Sequence, residues 1–134
     1  MTTKKTEIGS FGEEYIAKIL ESRGFVLLEM NYRKKCGEID VIVKKDEMIR
    51  FIEVKTVTRE TIEREEGNRG QLKDIYRPED NVHYDKLRRI ARTIEFYLLE
   101  KRWRGEWVFD CAMVYVNKDK RVLKVEYLQD QMLF

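Results

Sequence analysis

The chain predicts a mixed α/β fold, a central sheet with helices packed against it, and three observations carry that expectation. Helical periodicity over residues 10–23 and 83–103 brackets a set of short β-branched runs. Two of those runs flank a charged break at residues 44–47, the pattern of a hairpin. Residues 107–116 and 122–128 supply two further strands around a polar turn. The order is therefore α-β-β-β-α-β-β, which a mixed sheet flanked by helices accommodates.

Taken in order, residues 1–8 are polar and are expected to fray. Ser10 fits an N-cap, with Glu13 and Glu14 in the first turn, where the helix dipole favours acids. Phe11, Tyr15, Ile16, Ile19 and Leu20 form the apolar stripe, and Gly24 is a good stop. Residues 25–28 read as a strand and 31–37 as a connection into the hairpin. A hairpin centred between Asp46 and Glu47 sets Asp40 opposite Glu53 and Glu38 opposite Lys55. Its one face carries Ile39, Val41, Val43, Ile52 and Val54. Its other face carries Glu38, Asp40, Glu53 and Lys55 at one end, with Ile42, Ile49 and Phe51 nearer the turn. Over residues 57–80 the pattern dissolves into a long charged loop containing Pro78, with a short helix expected near 62–66. The second helix buries Leu87, Ile90, Ala91, Ile94, Tyr97 and Leu98, and its first half is basic. No repeat or linker interrupts the chain, so residues 1–134 read as one domain.

Composition narrows the function classes. A net charge of only +2 does not by itself announce a nucleic-acid binder, so local clustering must make that case. No apolar run approaches a membrane span, and no signal-peptide core follows the polar start, which points to a cytoplasmic protein. Cys36 and Cys111 lack metal-ligand spacing and fit reduced thiols better than a disulfide. With His83 as the single histidine, neither a His-metal cluster nor a His-based triad can be built within one chain.

The chemistry concentrates in the hairpin. Residues directly opposite in an antiparallel pair have Cβ atoms roughly 4.5–5.5 Å apart. Two carboxylates that close require a cation, a shared proton or water. Asp40, Glu53 and Lys55 thus stand where one divalent metal and one water could use them, although cross-strand ion pairing is the simpler reading. Arg33, Lys34 and Lys35, in the loop entering the Asp40 strand, are placed to hold a backbone phosphate. Lys86 and Arg89, with Arg88 and Arg92, offer a second phosphate-contact face or merely a solvated one. Asp110, between Phe109 and Cys111 in an apolar strand, could pair structurally as easily as serve a site.

These residues resemble a known pattern. A helix-borne Glu, a strand Asp and a following Glu-x-Lys resemble the PD-(D/E)xK nuclease superfamily, which includes restriction enzymes and archaeal Holliday-junction resolvases. More narrowly, Gly9-x-x-Gly12-Glu13, Asn31-Tyr32-Arg33, Gly37-Glu38-Ile39-Asp40, Phe51-Ile52-Glu53-Val54-Lys55-Thr56, Lys86 and Phe109-Asp110 resemble the YraN-like family, usually described as endonuclease-like. The likeness covers residues 9–116. It implies a restriction-endonuclease-like core and Mg²⁺ or Mn²⁺ held by Asp40, Glu53 and the main-chain carbonyl of Val54. It also implies Lys55 beside the attacking water and Glu13 reaching the site from the first helix. DNA is the implied substrate, branched DNA by analogy with resolvases, and the same analogy implies a homodimer. Two departures bear on substrate contacts: Val57 stands where the family commonly has Arg, and the stretch between Lys55 and Lys86 is long. The alternatives are a non-catalytic nucleic-acid-binding module and a protein-interaction domain on the same fold.

Overall fold

The computed structural model describes residues 4–59 and 81–133. Helix α1 (Lys4–Ser22) is followed by β1 (Val26–Lys34), β2 (Gly37–Lys45) and β3 (Met48–Thr58), then α2 (Asn81–Glu100), β4 (Glu106–Val116) and β5 (Val122–Leu128). The five strands form one sheet in sequential order. Every neighbouring pair is antiparallel except β3 and β4, the parallel pair that α2 connects. The predicted element order and the mixed α/β class both hold.

The two helices cover opposite faces. On one, Ile16, Ala17 and Leu20 of α1 pack with Val41, Val43, Ile52, Ala112, Val114 and Val116. On the other, Leu87, Ile90, Ile94 and Tyr97 of α2 pack with Ile42, Ile49, Phe51, Phe109, Cys111 and Met113. Residues 109–116 are buried throughout, an apolar run interrupted only by Asp110, as expected of a strand covered on both sides. The β2–β3 hairpin has the predicted register, from Lys45↔Met48 to Val41↔Ile52. Asp46 turns it at φ 54°, a left-handed conformation that Asp tolerates.

Several boundaries differ from the sequence expectation. Helix α1 begins at Lys4 rather than at Ser10, so Ser10 is not its cap, and Glu13 and Glu14 lie past the first turn. Gly9 lies inside the helix although the expected start was Ser10, and Gly12 is helical as expected. Gly12 is there because β3 comes too close for a side chain: an added Cβ would lie 1.9 Å from the Thr56 hydroxyl oxygen. Gly12→Ala is accordingly expected to lower stability by about 1–3 kcal/mol. Adding Thr56→Ala should recover most of that loss in urea denaturation, because the Thr56 hydroxyl is buried without a hydrogen-bond partner. If the second substitution recovers nothing, the contact is not what fixes α1.

Strand β1 runs to Lys34, so Arg33 and Lys34 belong to a strand, and only Lys35 and Cys36 form the turn. Its polar alternation hid it, because this is an edge strand with one face toward water. Strand β3 continues through Thr58, pairing with Val116. The short helix expected near 62–66 and Pro78 fall outside the described residues. Helix α2 stops at Glu100, ahead of the expected Trp103. Arg102 takes φ 52°, and the Trp103 N–H returns to the Leu98 carbonyl at 2.9 Å.

One face assignment also changes. Ile39 was expected beside Val41, but it packs in the α2 core while Val41 packs in the α1 core. Opposite them, Met30 and Tyr32 divide the same way around Asn31, which sits at φ 51°. The alternation is thus broken at the level of Asp40.

Candidate functional site

That break places the first functional side chain. Asp40 lies just past the last paired position of the hairpin, and its Oδ2 accepts the Val54 N–H at 2.8 Å. A carboxylate bonded to the neighbouring strand's amide lies near the plane of the sheet, not perpendicular to it as alternation alone suggests. Glu53 follows on β3 and is only 8% exposed, and its Oε1 lies 2.8 Å from Lys86 Nζ on α2. Glu13 reaches the same place from α1 and is hydrogen-bonded by the Asn31 side chain. Its sequence rival Glu14 points to solvent.

The three acids feel one another. Burial raises the Asp40 carboxyl strongly, Glu53 and Glu13 raise it further, and the Val54 amide opposes them only in part. Burial pushes Glu13 up to about 7, with its Asn31 bond pulling down and Glu38 and Glu53 pushing up. Burial pulls the Lys86 ammonium down, but the Glu53 carboxylate beside it prevails and the net change is upward.

The pH consequence follows from the sign. Glu13 titrates higher in the folded chain than its ordinary 4.5. Its contribution to stability is therefore intact below that ordinary value and is lost as pH rises toward 7. Glu13→Gln should stabilise the metal-free protein at pH 8 and change little at pH 4.5. Solvent screening of a half-exposed group brings the gain to about 1 kcal/mol. Thermal melts of both proteins across that range would refute the coupling if the two curves stay parallel.

A cavity of about 490 Å³ opens beside the cluster, lined by Asp40, Glu53 and Lys86 and by the basic groups Arg33, Lys34, Lys35 and Arg89. All five residues expected to touch nucleic acid therefore border the same space as two of the acids. Lys34 and Arg33 have acidic partners. Lys34 Nζ pairs with Glu100 at 3.1 Å and lies over the rings of Tyr32 and Phe96. Arg33 pairs with Glu38 at 3.1 Å across the β1–β2 hairpin, a partner that the expected β2–β3 register did not offer. Lys55 is exposed on β3, with its Cα opposite Met113, and it is not among the residues lining the cavity.

Two features escaped the sequence reading. Lys86 was expected to face phosphate, yet it contacts Glu53 directly, a pairing 33 positions apart that no local pattern encodes. Thr93 is fully buried within the α2 stripe, with its hydroxyl on the Arg89 carbonyl at 2.7 Å and Cys36 Sγ at 3.4 Å. A polar residue between Ile90 and Ile94 was the available signal. Thr93 sits where α2 meets the β1–β2 turn: a Cβ on Gly37 would lie 2.9 Å from its hydroxyl and 3.2 Å from the Arg89 carbonyl. That close seat brings Lys86 onto Glu53 and Arg89 to the wall of the cavity.

Hard oxygen donors at a half-buried anionic cluster match the preference of Mg²⁺ or Mn²⁺. The raised carboxyl groups mark a place short of positive charge. Among the described residues, however, no three acidic, histidine or cysteine side chains already form a closed ligand group. The donor chemistry fits a divalent cation, and its arrival would have to draw the side chains together.

Fold and site define a class: a small mixed α/β sheet whose acids converge from one helix and two strands beside a basic cavity. The uncharacterised protein family UPF0102 matches residues 12–114, and the chain belongs to this family, the YraN-like family of the resemblance above. It is 36% identical to a UPF0102 protein of Dictyoglomus turgidum over 91% of this chain and 93% of that one. A UPF0102 protein of Campylobacter fetus subsp. fetus is 34% identical over 95% of this chain and 100% of its own length. One from Caldicellulosiruptor saccharolyticus is 31% identical over 94% and 97%. The family match spans Glu13, Asp40, Glu53, Lys55 and Lys86.

Proposed function

We propose that this chain is a divalent-cation-dependent endonuclease that hydrolyses phosphodiester bonds in DNA, branched or otherwise structured DNA being the favoured substrate. The observation that carries this reading is the convergence of Glu13, Asp40 and Glu53 from three separate elements, beside a cavity rimmed by basic groups. Asp40, Glu53 and the Val54 carbonyl would hold Mg²⁺ or Mn²⁺, with Glu13 at its outer side. When bound, such an ion acidifies water and offsets charge that develops on phosphate.

The remaining work belongs to the protein. Arg33, Lys34, Lys35 and Arg89 neutralise and orient the DNA backbone, a contribution that weakens steeply with salt. Lys55 is exposed on β3 outside the cavity lining, and steadying the attacking water or the leaving oxygen would require its ammonium to swing toward Glu53 when DNA binds. A homodimer would allow both strands of a branch to be cut. No described helix is long and apolar enough to cross a membrane.

A second reading, a nucleic-acid-binding module without catalysis, draws on the Lys86–Glu53 pair, which already satisfies one of the acids. Labelled linear, single-stranded, flapped and four-way-junction DNA separates the two. With Mg²⁺ or Mn²⁺, the nuclease cuts at least one of these, and identically purified Asp40→Asn does not. Salt-sensitive binding without scission under either metal would establish the module instead. Absence of binding at low salt would leave the protein-interaction reading.

A further inference from the structure

We propose that Lys86 is the site's built-in counter-ion, which competes with the divalent cation for Glu53 and is freed toward the phosphate side when the cation binds. The inference rests on the metal-binding reading above and assigns α2 a part in it. Glu53 is nearly buried, and the group its carboxylate meets at 2.8 Å is the Lys86 ammonium. The Lys86 side chain is 44% exposed at the end of a flexible stem, so its head can move without moving the helix. The helix itself is anchored beside it by Leu87, Ile90 and Thr93, all buried.

The charge balance explains why the contact should exchange. Three carboxylates converge here, and among the described contacts the Lys86 ammonium is seated on one of them, Glu53. A divalent ion neutralises two, and it repels an ammonium held on a shared ligand. The Lys86–Glu53 pair is therefore the arrangement of the metal-free site. The freed ammonium stays in the cavity with Arg89 and Lys35, where a phosphate would lie.

Mn²⁺ titration followed by electron paramagnetic resonance tests this without reference to activity. Lys86→Met should bind Mn²⁺ about tenfold tighter than the unaltered protein. Lys35→Met removes an equal charge from the same cavity without touching Glu53, so it should gain no more than about twofold through screened, longer-range repulsion. Lys86→Met should also melt lower than the unaltered protein when metal-free, and saturating Mn²⁺ should close most of that gap. Lys86→Gln, which keeps a polar head, provides a second variant with the same expected direction. In the unaltered protein, the Lys86 ¹⁵Nζ resonance should shift in step with Mg²⁺ binding. Unchanged or weaker Mn²⁺ affinity in both Lys86 variants, with the unaltered protein still binding, would overturn the competition alone. No Mn²⁺ binding by any of the proteins would overturn it together with the metal reading.

Discussion

Asp40→Asn is expected to abolish DNA cleavage to within background, a loss of at least about 10²–10³-fold, while making the metal-free protein more stable at alkaline pH. The substitution is nearly isosteric, and the amide oxygen of Asn can still accept the Val54 N–H that Asp40 takes at 2.8 Å. What disappears is the anion. Burial and the neighbouring Glu53 and Glu13 raise the Asp40 carboxyl well above its ordinary range. The folded chain therefore favours its protonated form, and ionising it on the way to high pH costs stability. Asparagine removes that cost, so the melting temperature of the variant should exceed that of the unaltered protein by a margin that grows as pH rises from the ordinary aspartate range into the alkaline range. Mn²⁺ affinity should fall over the same range. Opposite signs for stability and for metal binding would distinguish a site built around a cation from a surface ion pair, whose loss would move both only slightly. Equal cleavage by the two proteins would identify a contaminating nuclease. Unchanged Mn²⁺ affinity would remove Asp40 from the site.

How much of this was legible in the sequence depends on the range of the interaction. The hairpin register could be read because period-two alternation and a two-residue turn are local, and the observed pairing from Lys45↔Met48 to Val41↔Ile52 follows it. The pleat could not be followed past Val41, because the change at Ile39 depends on Asn31 in the neighbouring strand adopting a left-handed conformation. Helix α1 was read too short because a polar start and a cap-type residue at Ser10 look the same whether a helix begins there or runs through it. Edge strand β1 was cut short because its polar residues are normal for a solvated edge and also normal for a loop. The acids Asp40 and Glu53 were visible as a pair, whereas the Lys86 contact required the crossover between β3 and β4 to bring α2 back over the sheet. Local chemistry was readable, and contacts created by the crossover were not.

The same limit applied to Asp110, which the sequence left between a structural and a functional role, and whose truncation should cost the fold most. It is fully buried on β4 and paired in register with Ile52, on the face opposite the Glu53 side chain. Both its oxygens accept from Arg50 Nη1, at 3.1 and 2.9 Å. The Tyr127 hydroxyl donates to Oδ2 at 2.5 Å, and the Asp130 N–H donates to Oδ1 at 2.8 Å. One carboxylate therefore ties β3, β4, β5 and the segment after β5 together. Asp110→Ala would leave the Arg50 guanidinium, 79% removed from solvent by its 21% exposure, without its acid, and would strand a hydroxyl and a backbone amide. Breaking a buried pair from one side costs about 3–5 kcal/mol. Urea denaturation should show that loss, and Asp110→Asn, which keeps acceptor capacity, should show a smaller one. Because the carboxylate faces α1 rather than the cavity, Mn²⁺ affinity of the folded Asp110→Asn protein should remain within about twofold of the unaltered value, as expected for sites that share no partners. A loss of Mn²⁺ affinity as large as that of Asp40→Asn would mean that Asp110 acts on the site through β4, and its role would no longer be structural alone.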